Sequence, residues 1–110
     1  EGIATELEER ERLVAALGDR HMMILRNHGT LAVGATVAEA FLRIYFLERA
    51  CEAQVHMLAA GRDGLNTPPQ GVEGKVKEQS TGPGMAMLAQ GLAWPALLRK
   101  PDRIDPGYRD

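Results

Sequence analysis

Met22-Met23-Ile24-Leu25-Arg26-Asn27-His28-Gly29-Thr30-Leu31-Ala32-Val33-Gly34 is the stretch whose reading decides the fold. Two apolar runs of strand length flank a turn rich in Asn and Gly, which is the pattern of a β-hairpin. The apolarity is continuous rather than alternating, so both faces of the hairpin are expected to be covered. Gly29 can take φ > 0 and keep the turn tight. A hairpin tip of this kind holds the His28 imidazole at the surface on a rigid base, suited to a metal ligand or an acid/base group. A lone surface histidine is more often simply solvated, so His28 draws its weight from its neighbours.

Working outward, Thr36-Val37-Ala38-Glu39 has the form of a capping box and opens the longest element. Apolar residues recur at Val37, Ala40, Phe41, Ile44, Leu47, Cys51, Val55 and Leu58, a helical spacing that stops at Gly61. At 1.5 Å per residue this helix is roughly 37 Å long, more than two neighbours could cover. The periodicity puts Phe41, Ile44, Leu47, Cys51 and Val55 in the core beside Ile24, Leu31 and Val33. Glu39 and Arg43 form an i,i+4 pair on the polar side. Glu48, Glu52 and His56 share one helix face and read as a solvated stripe rather than a metal site. Upstream, Thr5 to Leu17 reads as a helix, with a capping box at Thr5-Glu6-Leu7-Glu8 and a left-handed stop at Gly18. Leu7, Val14 and Leu17 can share its apolar face.

Beyond Gly61 the composition changes. Thr67-Pro68-Pro69, Gly71, Gly74 and Gly82-Pro83-Gly84 punctuate a polar stretch, with at most a helical turn near Val76 to Gln79. This divides the chain into residues 1–61, a flexible linker over 62–84, and a C-terminal helix and tail over 85–110. Met85 to Gln90 looks helical and Gly91 weakens it. Pro95 suits the first turn of a last helix, Ala96 to Lys100, which Pro101 should end or kink. The fold class is therefore α+β, mostly helical with one β-hairpin.

The 110 residues bound one small domain or a piece of one. With 45% hydrophobic and 25% charged residues the composition is that of a soluble globular chain. A formal charge of −2 gives no reason to expect nucleic acid or an anionic membrane as partner. Cys51 is the one cysteine, which excludes an internal disulfide and points to a reducing, cytoplasmic setting. No apolar run approaches the ~20 residues needed to span a bilayer. The chain begins with Glu1 rather than Met, which reads as a processed chain or a fragment.

The hairpin and long helix carry a resemblance. Ile24-Leu25-Arg26-Asn27-His28-Gly29, Val33-Gly34, Val37-Ala38-Glu39-Ala40-Phe41 and Ala50-Cys51-Glu52-Ala53-Gln54-Val55 together are similar to the class II aldolase and adducin head family. The likeness runs from about Asp19 to Gly61, with a weaker echo over Trp94 to Asp110, where Pro101 departs from the pattern. It implies that this chain is the C-terminal half of an α/β/α layered domain of about twice this length, usually a homo-oligomer. It also implies a divalent metal, with zinc the expected ion, held by three histidines. Two of these form a His-x-His pair that this sequence lacks, and His28 matches the third. Tyr108 lies where some family aldolases use a C-terminal tyrosine, though nothing around it supports that role.

Two functions follow from the resemblance. In the first, the parent is a metal-dependent lyase, an aldolase or decarboxylase acting on a small hydroxy or keto acid or a sugar phosphate. The 110 residues alone are then inactive and hold no metal tightly. In the second, the fold serves as a non-enzymatic, adducin-like association domain, toward which Ala50-Cys51-Glu52-Ala53-Gln54-Val55 leans.

Overall fold

The first helix, α1 (Leu7–Leu17), stops where Gly18 takes φ +56° and its amide donates to the Val14 carbonyl at 3.0 Å. The computed structural model describes residues 7–109, so the capping box expected at Thr5 lies outside the described residues. Strands β1 (Met22–Leu25) and β2 (Gly29–Ala32) pair antiparallel, with Met22 opposite Ala32 and Leu25 opposite Gly29. The hairpin expected from the sequence is present. Its coverage is not: Met22 and Ile24 are exposed while Met23 and Leu25 are half-buried. Continuous apolarity marks strands made to be covered on both sides, and this chain leaves one side of β1 open.

Helix α2 (Val37–Ala59) spans 23 residues, about 34 Å at 1.5 Å per residue. Its start is fixed twice. Thr36 sits in extended backbone, and its Oγ1 accepts the Glu39 amide at 3.3 Å. Gly34 lets the incoming chain lie against the first turn, because a Cβ there would stand 2.6 Å from the Ala40 nitrogen. At the far end Gly61 turns the chain out with φ +91°.

The core sits on a different face of α2 from the one the periodicity selects. Ala38 and Leu42 are buried against Ala89, with Met85, Ala93 and Trp94 packed around them. Phe41, Val55, Ile24 and Val33 are exposed, and Ile44, Leu47, Cys51 and Leu31 are half-buried. Helix α2 carries apolar residues on more than one side, Leu42, Tyr45 and Phe46 as well as the expected row. Spacing alone therefore cannot decide which side meets a partner. Nor does α1 join the core: Val14 is 71% exposed.

The segment read as a linker contains a 3₁₀ turn at Arg62–Gly64 and a ten-residue helix, α3 (Val72–Thr81). The helical turn expected near Val76 extends in both directions, and the Ser80 and Thr81 hydroxyls close its end by donating to the Lys77 carbonyl at 2.9 Å each. Next comes one continuous helical rod: α4 (Pro83–Met87), a π segment (Leu88–Ala93) and α5 (Trp94–Ile104). The π segment lies just before Pro95, whose ring would clash with the Gly91 carbonyl in a regular α-helix; widening the turn makes room. Pro101 does not end α5. It falls in the last two turns, so it forfeits one bond to the Leu97 carbonyl, and the Asp105 amide still reaches the Pro101 carbonyl at 2.8 Å.

A compact chain of 110 residues has a radius of gyration of about 13 Å and exposes about 6,000 Å². Here the values are 17.2 Å and 9185 Å². Two layers, the hairpin and the C-terminal rod, share one helix and leave much of it bare. No helix among the described residues is long and apolar enough to cross a membrane.

Candidate functional site

His28 occupies the tip of the hairpin. The loop Arg26-Asn27-His28 joins strands that pair up to Leu25 and Gly29, and the His28 amide donates back to the Leu25 carbonyl at 3.3 Å. Asn27 takes φ +63° and Gly29 φ +105°. Asn is among the few residues that tolerate the left-handed region, so the sequence Asn27-His28-Gly29 has the residue types this turn geometry requires. The imidazole is exposed, and no hydrogen bond or ion pair engages it among the described residues.

Helix α2 fastens the strand that leaves this turn. The Thr30 hydroxyl donates to the Glu48 carboxylate. Three residues further on, Arg43 Nη1 donates to the Val33 carbonyl at 2.6 Å. Arg43 Nη2 also lies 3.5 Å from Glu39 Oε2, and Gln90 Nε2 donates to Glu39 Oε1 at 2.9 Å. The Glu39–Arg43 pair expected on the polar side is thus formed, but inside: the two side chains are only 8% and 12% exposed. The π segment supplies Gln90 from 51 positions away, a closure that no local pattern announces.

The other candidates do not assemble. Glu48 is engaged by Thr30, Glu52 pairs with Arg49 at 2.6 Å, and Glu48, Glu52 and His56 are all exposed. Tyr108 donates to Asp102 Oδ1 at 2.8 Å at the end of α5. Among the described residues no three His, Cys, Asp or Glu side chains come together in a group that could hold a metal ion. An imidazole is a donor that a divalent metal can take, and among the described residues His28 stands in no group of three such side chains.

A cavity of about 510 Å³ opens between the start of β1, α2, α3 and α4, and His21, Met22, Phe46, Val76 and Met85 are among the residues that line it. The sequence reading gave no role to His21. Its place beside this cavity depends on α3, which the Pro- and Gly-rich composition of residues 62–84 concealed.

Comparison with known proteins matches this arrangement. Residues 2–55 match the Class II Aldolase and Adducin N-terminal domain. The whole chain is 56% identical to part of a Caulobacter vibrioides protein named for aldolase class 2 and covers 42% of its length. Human gamma-adducin is 44% identical over 69 residues, which are 60% of this chain and 10% of that protein. Among solved structures, an aldolase II superfamily protein from Pseudomonas syringae superposes with a TM-score of 0.80 at 46% identity. That match covers all of this chain and 43% of the other. The chain thus spans less than half the length of the aldolase-type relatives it matches. With the His28 hairpin, the long helix behind it and these likenesses in agreement, the chain belongs to the class II aldolase and adducin family.

Proposed function

We propose that this chain is the C-terminal part of a class II aldolase-type domain in which His28 supplies one ligand to a divalent metal, with zinc the expected ion. The observation that carries the reading is the free imidazole on a turn shaped by Asn27 and Gly29. The remaining ligands come from residues outside this chain, since catalytic zinc sites use three protein ligands. Once bound, such a metal acts as a Lewis acid on a carbonyl or hydroxyl oxygen. The complete domain is then a lyase, an aldolase or decarboxylase working on a small hydroxy or keto acid or a sugar phosphate. It works as a cytoplasmic homo-oligomer without nucleic acid or membrane partners, and the 110 residues alone are inactive. The test is to join the chain to the additional segment of the Caulobacter relative and titrate zinc by calorimetry. Affinity is expected to rise by orders of magnitude over the chain alone, and His28→Ala to remove most of the gain. Equal binding with alanine at position 28 would show that His28 is not a ligand.

A second reading has its own support. The adducin likeness over 69 residues and the bare apolar length of α2 favour an association domain without catalysis. Joined protein that binds no zinc with His28 intact, yet assembles into a defined oligomer, would put this reading first.

A further inference from the structure

We infer that Glu48 is a positioning residue for the His28 turn, acting through Thr30; this rests on the reading of His28 as the functional side chain. Thr30 lies two residues past His28 on the strand that leaves the turn, and its hydroxyl donates to the Glu48 carboxylate. The pair joins positions 18 apart in sequence and ties the turn end of β2 to α2. A second bond, from Arg43 Nη1 to the Val33 carbonyl, ties the chain just past the end of the same strand. Among the described residues β1 has no such side-chain anchor. The turn that carries His28 is therefore held on one side, by an outgoing chain fastened to the longest helix at Thr30 and at Val33.

The choice of partner also sets Glu48 apart from its neighbours. Arg49, next to it, pairs with Glu52 and lies over the Tyr45 ring at 5.8 Å. An exposed helix glutamate is ordinarily satisfied by water or by a cation one turn away. Glu48 instead accepts a hydroxyl from another element. A charge-assisted acceptor gives that bond more directional hold than a neutral one would. Groups that orient a metal-ligating histidine typically change metal affinity about 10- to 100-fold when removed. Acting at one remove, Glu48 belongs at the lower end, about tenfold.

Two measurements test this. In the 110-residue chain, hydrogen exchange at the His28 amide reads the order of the turn. Thr30→Val and Glu48→Ala should speed exchange, while Thr30→Ser, which keeps the hydroxyl, should leave it near the starting rate. In the chain joined to the Caulobacter segment, zinc alone is titrated and cobalt(II) is substituted to record its visible spectrum. Thr30→Val and Glu48→Ala should each weaken zinc by about tenfold and alter the cobalt bands, with Thr30→Ser again close to the parent. Glu48→Gln keeps an acceptor and guards against a folding defect in Glu48→Ala. If His28→Ala abolishes binding while Thr30→Val and Glu48→Ala stay within twofold of the parent, the positioning role is overturned and the ligand reading stands. If His28→Ala changes nothing, the ligand reading fails and takes the positioning role with it.

Discussion

Glu39 is the residue whose surroundings depart furthest from its sequence context. It looks like the solvent half of an i,i+4 pair, yet it is 7% exposed and receives both Arg43 and Gln90. Removing one partner of a buried pair strands the other charge, so Glu39→Ala should destabilise the chain by about 3 kcal/mol. Gln90→Ala should cost about 1.5 kcal/mol, as expected for a hydrogen bond to a charged group. In a urea-denaturation cycle, the Glu39→Ala/Arg43→Ala double variant should lose clearly less than the sum of the singles; strict additivity would mean the pair is not coupled. The turn offers a second test at this scale. Asn27 sits at φ +63°, so Asn27→Val should cost about 1–2 kcal/mol while Asn27→Gly is near neutral. Equal melting temperatures for the two variants would exclude the left-handed geometry. The turn residues were legible in the sequence because their constraint is local; the burial of Glu39 was not, because it depends on a side chain 51 positions away.

At the level of elements, α2 was readable in its start, its end and its helical nature, and misread in its inner face. Thr36 and Gly61 are punctuation that works whatever packs nearby. The inner face is set by which neighbours arrive. The rod arriving with Ala89 at its contact point selects Ala38 and Leu42. Phe41 stays 38% exposed and meets Trp94 edge to face, with ring centroids 5.7 Å apart. Leu42→Ala should therefore cost about 2–4 kcal/mol, and Phe41→Ala less than that despite its larger ring. Thermal melts in which Phe41→Ala is the more damaging change would return the core to the face first expected. The rod itself was hidden by its prolines. Residues that forbid an ideal helix interior were read as ends, whereas a π segment before one and a near-terminal place for the other let the helix continue.

For the whole molecule, the excess of accessible surface is the governing fact. The chain buries only about half of what an unfolded chain of its mass exposes, where a compact domain of this size buries about two-thirds. Tyr45, Phe46, Val55, Met57 and Leu58 all lie open along α2. Apolar surface left open to that extent marks an association surface, so the isolated chain should self-associate as its concentration rises. Light scattering that gives a strict monomer throughout would contradict this. The same structure also implies an order of events in time. Thr30 to Glu48 and Val33 to Arg43 are short loops to close, while Glu39 to Gln90 is a long one, and loop-closure entropy grows with length. The hairpin and α2 can thus fold against each other as soon as residue 59 is available. The C-terminal rod docks later, and Gln90 closes last, onto Glu39 at the start of a helix already fastened to the hairpin.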